Sequence, residues 1–317
     1  MKPKCPWVDV LRIAAICGIV GCHLDLPNMT AAAKCLNRLS DFNVAVFAIL
    51  SGHFFFLSVE DSAKAYLKKR IRRIFVPYMI WSVVYFVVSM AFHALNGRGV
   101  SASDFTLERI MDMVFWGGTC THLWFIATLF YVQILLLPIK LYKDAMSNKL
   151  FLIALFLLSL GIVVFSDLTS GWWAFYPFRL LGFFILGMFM CEVCRRNSIS
   201  WGFKFISLLP CACGVIGICF GLGHLVLCEL LIAAPLCYIA ISTPCSVSDN
   251  TVVSLRKLGE LTFLVYLVHP LFTVAQRELV VRLFAEQTAS VFLADQIVAF
   301  VLSFIAAVFL ARGCRKV

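Results

Sequence analysis

Residues 9–23, DVLRIAAICGIVGCH, form an apolar run that nevertheless contains Asp9, Arg12 and His23. On a helix advancing 100° per residue, the path from Arg12 to His23 turns through about 1100°, within about 20° of three full turns. Asp9, one turn before Arg12, falls on the same stripe. Arg12 and His23 are then roughly 16 Å apart along the axis. A snorkelling arginine or a histidine at the headgroups accounts for any one of these residues alone. Three on one face favour a polar stripe through the membrane, because ionisable groups at depth usually mark a pathway or a site.

The rest of the chain places that stripe in a membrane protein. With 62% hydrophobic and 14% charged residues and a mean hydropathy of +0.94, the 317 residues exclude a soluble domain. Runs long enough to cross a bilayer fall near 7–23, 42–59, 74–95, 122–139, 150–166, 176–194, 201–222, 224–242, 260–276 and 290–311. The expected architecture is an all-α polytopic transmembrane helix bundle of about ten spans. Only Gly221 to His224 separates two of these runs, so a re-entrant pair over 201–242 is the competing arrangement.

Orientation follows from lysine and arginine. With a cytoplasmic N-terminus, nineteen of these residues fall in inner segments, including Lys64 to Arg73, Arg195 and Arg196, and Arg312 to Lys316. Six fall outside: Lys34, Arg38, Arg98, Arg109, Arg277 and Arg282. Both termini are therefore expected in the cytoplasm, and the even span count agrees. The formal charge of +10 is largely this sorting signal, and it does not argue for nucleic acid as a partner. Asp9 and Arg12 interrupt the first apolar run, which favours an uncleaved span over a signal peptide.

Most of the fourteen cysteines lie within spans, where cysteine packs as a small apolar residue. Cys191 and Cys194 form a CxxC without a second pair or nearby histidine, so no metal site is expected. Cys35 and Cys120 lie in outer segments, and the spacing leaves their pairing open. No internal repeat, low-complexity tract or soluble portion is evident. Residues 1–317 read as a single transmembrane domain.

The arginine and histidine of the first span, introduced by Asp9, resemble the opening of acyltransferase family 3, membrane proteins that move acyl groups from cytoplasmic acyl-CoA to extracytoplasmic glycans. VAVFAILSGHFFFLS (44–58) is similar to that family's second-span Ser-Gly segment, and YLKKRIRRIFVPY (66–78) to its basic stretch closed by Pro-Tyr. HLWFIATLF (122–130) and LGELTFLVYLVHP (258–270) are similar to its fourth-span Trp motif and its late Tyr-Leu-x-His motif. The five occur in the family's order over about residues 7–270. His53 departs from the pattern where a bulky apolar residue is usual, and Glu260 and Thr262 replace a small and hydroxyl pattern. The hydrolase-like extracytoplasmic domain that some members append is not expected.

The resemblance implies an O-acetyltransferase of the bacterial inner membrane that uses acetyl-CoA, or another acyl-CoA such as succinyl-CoA, as donor. A glycan or lipid-linked saccharide would be the acceptor, with membrane lipids as surroundings. His23 is the expected general base, since a neutral imidazole can take the proton of an attacking sugar hydroxyl; a transient acyl-imidazole is the variant. Arg12 would hold the pantetheine or phosphate end of the donor, with Asp9 fixing the guanidinium, and a purely structural ion pair is the other reading. Asp25 would orient the imidazole if the helix ends at His23. Lys69, Arg70 and Arg73 suit the donor's phosphates, or form an ordinary positive-inside cluster against anionic lipid.

Ser51 and Gly52 read either as part of the donor site or as helix packing. Trp124 reads as a stacking platform for an acceptor sugar or as an interfacial tryptophan. Arg179 reads as a partner for an anionic glycan or lipid phosphate, or as a snorkelling side chain. Pro270 removes the donor that the carbonyl of Tyr266 needs, so Tyr266 and His269 read as a site wall. Glu229 and Asp295 are secondary candidates for a proton network. The rival function is a secondary transporter or flippase, which also uses intramembrane charges and broken helices; a scaffold without turnover leaves the first-span stripe unexplained.

Overall fold

The computed structural model describes residues 6–24, 26, 28–58, 62–95, 106–141, 148–169, 176–196, 201–222, 225–244 and 248–313. Among these residues the chain is helical, with one isolated β-bridge between Met29 and Gln287. The helices are α1 (Pro6–Cys22), α2 (Ala31–Leu39), α3 (Phe42–Leu57), α4 (Ala63–Arg70), α5 (Val76–Leu95), α6 (Leu107–Phe115), α7 (Trp124–Leu135) and α8 (Leu137–Leu141). They continue with α9 (Lys149–Leu168), α10 (Tyr176–Arg196), α11 (Trp201–Ile206), α12 (Leu208–Cys219), α13 (Leu225–Ser242), α14 (Asp249–Leu283) and α15 (Ala289–Gly313).

Every expected span coincides with one or two of these helices. Among the described residues six runs are long and apolar enough to cross a membrane: Ala31–Leu57, Ala63–Ala94, Lys149–Leu168, Leu225–Ser242, Asp249–Leu283 and Ala289–Gly313. Trp124–Leu135 and Lys204–Cys219 are shorter apolar helices. The protein is an all-α polytopic membrane protein. Its α15 shows the pattern clearly, with Phe292, Asp295, Ala299, Ser303 and Ala307 buried while Ile297, Val301, Ile305 and Phe309 are exposed. An exposed face built entirely of such residues needs lipid to cover it.

The chain forms two compact units, Met1–Phe54 together with Leu155–Val317, and Phe55–Ala154. In the first unit α1 packs against α13, α14 and α15, and α12 packs against α13. Small residues permit the close approaches. A Cβ on Gly214 would stand 2.7 Å from the carbonyl oxygen of Cys228, and one on Gly217 would stand 2.6 Å from that residue's sulfur. The apolar run expected at 260–276 is the middle of α14, whose 35 residues extend over roughly 52 Å. That exceeds the roughly 30 Å hydrocarbon core of a bilayer.

In the second unit α4 passes through a π-helical turn, Ile71–Phe75, into α5. Pro77 has no N–H to give the carbonyl of Arg73, which favours the altered bonding at this point. Lys140 is expected from the charge pattern in an inner connecting segment. It is instead buried in α8, because its ammonium finds acceptors there: Nζ donates to the Phe55 carbonyl at 3.0 Å and to the Ser58 hydroxyl. In the first unit Lys204 is likewise buried, donating to the Ser242 carbonyl at 3.2 Å and to Thr243 Oγ1 at 3.1 Å. A lysine at the end of α13 complements its terminal carbonyls.

Candidate active site

Asp9 and Arg12 lie on α1, and α14 closes against the start of that helix. Asp9 Oδ1 lies 3.5 Å from Arg12 Nη1, one helical turn away. The guanidinium carbon sits 4.4 Å from the centre of the Phe54 ring, a cation–π distance. Gly259 of α14 makes room for the carboxylate, since a Cβ there would be 2.7 Å from Asp9 Oδ1. Asp9 and Arg12 both keep part of their surface accessible, so the pair is available to a ligand as well as to each other.

The far end of α1 is held by side chains from two further helices. Helix α1 stops at Cys22, and His23 follows in a turn whose N–H donates to the Val20 carbonyl at 3.3 Å. Terminal helix carbonyls need outside donors. Asn37 of α2 supplies them, its Nδ2 donating to Gly21 O at 3.0 Å and Cys22 O at 3.4 Å. Gln296 of α15 donates to the Cys17 carbonyl at 2.8 Å. Asp25, the expected orienting carboxylate, lies outside the described residues.

The group that meets His23 is a second imidazole. The His23 and His269 rings are 5.1 Å apart, tilted by 34°. His23 is exposed, whereas His269 is fully buried. Proline at position 270 deprives the Tyr266 carbonyl of its helical donor, and His269 Nδ1 stands 2.8 Å from that oxygen. A carbonyl can only accept, so the neutral ring carries its proton on Nδ1 and its lone pair on Nε2. Tyr266 itself is buried, its ring 5.7 Å from that of His269.

Helices α3 and α10 cross where Gly52 lies. A Cβ on Gly52 would fall 1.9 Å from the Phe184 carbonyl oxygen, and one on Gly187 would fall 1.9 Å from that of Ile49. The reciprocal glycines let the two backbones touch. Ser51 is half-buried beside this crossing and His53 is buried within it. Arg179 of α10 is buried with its Nη1 3.4 Å from Oε1 of Glu229, which is fully buried on α13. Asp167 of α9 accepts from the N–H groups of Val226 and Leu227 at 2.9 and 3.3 Å, which anchors the first turn of α13.

The second unit carries the basic face and the tryptophan motif. Lys69 and Arg70 are half-buried and Arg73 is exposed. The Arg70 guanidinium lies 4.8 Å from the centre of the Tyr66 ring, and Lys140 Nζ lies 4.2 Å from it. The Tyr66 hydroxyl donates to Gln133 Oε1 at 2.6 Å, so the ring between the two cations is held in place. Trp124 opens α7, half-buried. Two residues earlier His122 is buried, edge-on to Tyr85 at 5.3 Å and with Nδ1 3.0 Å from Cys120 Sγ. Gly117, with φ of 74°, turns the chain tightly onto Leu123 and Trp124, a backbone conformation that favours glycine.

A family model described as an acyltransferase domain, that of acyltransferase family 3, matches residues 6–312. The chain belongs to that family. No curated protein and no solved structure matches it. The match spans both compact units, so the acyltransferase is a multi-pass membrane enzyme over essentially its whole length.

Of the residues expected from the sequence, the acyltransferase brings His23, His269 and Tyr266 together at one place and Asp9 with Arg12 at another. Arg179 is paired with Glu229 within the protein. His122, Lys140 and Gln133 were not singled out by sequence reasoning. His122 was legible as the first residue of HLW, but the burial of Lys140 and Gln133 carries no local signature.

Proposed function

We propose that this acyltransferase moves an acyl group, acetyl in the first instance, from cytoplasmic acyl-CoA to a hydroxyl of an extracytoplasmic glycan or lipid-linked saccharide. We place it in a bacterial inner membrane. The observation that carries this reading is the imidazole pair: accessible His23, held at the end of α1 by Asn37, against buried His269 with its proton directed to Tyr266. His23 accepts the proton of the sugar hydroxyl as that oxygen attacks the thioester carbonyl. The tetrahedral adduct collapses, the C–S bond breaks, and the CoA thiolate takes a proton from the imidazolium. His269 sets the polarity beside the base through its fixed tautomer.

Arg12, oriented by Asp9, grips the pantetheine or a phosphate oxygen along the stripe. Lys69, Arg70 and Arg73 receive the diphosphate and ribose phosphate, since guanidinium forks match phosphate oxygens. Ser51 beside Gly52 offers a hydroxyl to the donor, and Trp124 offers a face for the acceptor sugar to stack on. The test is release of free CoA thiol from acetyl-CoA by purified protein in lipid, with and without glycan acceptors. Turnover that disappears in His23→Ala at matched folding supports the reading. An intact thioester together with no binding of acetyl-CoA overturns it and favours a transporter.

A further inference from the structure

We propose that Cys35 and Cys219 are a disulfide-forming pair that ties α2 to the end of α12. Their sulfurs lie 3.1 Å apart, although the residues are separated by 184 positions in sequence. The approach does not rest on two mobile side chains alone. Helix α2 packs along α12, and Leu39 at the end of α2 and Phe42 at the start of α3 pack on a cluster formed by Ile218, Cys228 and Ile232. A shift of about 1 Å brings the sulfurs to bonding distance. Cys35 is half-buried and Cys219 exposed, so an oxidant can reach the pair. Other thiols are directed at carbonyls, as Cys22 is to Ile19 O at 3.1 Å and Cys211 to Ile232 O at 3.4 Å.

The charge distribution assigns both cysteines to the outer side, where oxidation persists. The open question of Cys35 and Cys120 is thereby redirected: Cys120 Sγ lies against His122 Nδ1 at 3.0 Å. The oxidant is an exogenous disulfide, such as that of a thiol–disulfide oxidoreductase. One cysteine thiolate attacks it, forming a mixed disulfide and releasing one thiol. The second cysteine thiolate then displaces the other thiol, so both protons and both electrons leave with the reduced oxidant. The bond would fasten the helix that carries Asn37, whose amide holds the carbonyls of Gly21 and Cys22 next to His23. The proposal goes beyond the acyl-transfer reading and stands or falls on the cross-link.

The experiment is alkylation of intact membranes with a maleimide under non-reducing conditions, followed by peptide mass spectrometry of wild type, Cys35→Ser and Cys219→Ser. The expected result is that neither cysteine is labelled in the wild type until reductant is added, a Cys35–Cys219 cross-linked peptide is found, and each single variant exposes the other thiol. Full labelling of both cysteines in the wild type without reductant overturns the proposal, as does a peptide joining Cys35 to Cys120. The double variant gives a second readout. Reductant should lower the unfolding temperature of the wild type and leave that of the double variant unchanged, and equal shifts in both count against the bond.

Discussion

The two compact units handle charge in opposite ways. In Met1–Phe54 with Leu155–Val317, ionisable groups from segments far apart in sequence meet: accessible His23 with buried His269, and buried Arg179 with buried Glu229. In Phe55–Ala154, a run of cations along one helix stays partly accessible, and Tyr66 lies between Arg70 and the buried Lys140. The first arrangement suits proton transfer and a rigid scaffold, because each group's state depends on a fixed neighbour. The second suits capture of a polyanion, because accessible guanidinium and ammonium groups are ready for phosphate oxygens.

The sharpest way to break that comparison is at the buried ion pair. Arg179→Met leaves Glu229 buried without its cation and is expected to cost about 3–5 kcal/mol of stability, measured by unfolding in matched lipid. Adding Glu229→Leu should recover most of the loss. Recovery failing in the double variant would show that Arg179 serves another partner.

Next in size is His23→Ala, expected to lower kcat at least about 10²-fold, equivalent to about 2.7 kcal/mol in the barrier, with unfolding unchanged. A neutral imidazole is the active form. Activity of the wild type should therefore fall as acid protonates His23, and residual activity in the variant should lack that acid limb. A variant whose pH profile matches the wild type would remove His23 from the proton transfer.

Gly52→Ala tests scaffold rather than chemistry. The new methyl would meet the Phe184 carbonyl at 1.9 Å, which forces α3 and α10 apart. Such overpacking is expected to cost about 1–3 kcal/mol, seen as a lower unfolding temperature in lipid. Unchanged stability would show that the crossing can relax.

For the second unit, Arg70→Ala should raise KM for acyl-CoA about tenfold with kcat nearly unchanged, the mark of lost uniform binding. An equal fall in kcat would move Arg70 into the chemistry and erase the contrast between the units. The smallest effect belongs to the exposed pair Arg256 and Glu260, at 3.2 Å on α14. Removing it should change stability by only about 0.3–0.5 kcal/mol.

Much of the site was legible in single segments. The pairing of Asp9 with Arg12 follows from their spacing of one helical turn, and the unmet carbonyl of Tyr266 follows from Pro270. The side chain that meets that carbonyl is its own neighbour His269. By contrast, Arg179 gave no sign of choosing Glu229, and Lys140 resembled any lysine of an inner loop. Both outcomes depend on acceptors supplied by other parts of the chain.

Local chemistry therefore determined that this protein is an all-α membrane protein with Asp9 and Arg12 one turn apart in its first helix and a basic run before its third expected span. Apolar length, helical phase and charge sorting act over a few turns, and one sequence carries them. Only the tertiary structure decided that His23 meets His269, that Asn37 holds the end of α1, and that Cys35 approaches Cys219. These contacts join segments up to hundreds of residues apart. They arise from which helix faces pack together, and that depends on small residues such as Gly52, Gly187, Gly214 and Gly259 acting across the fold.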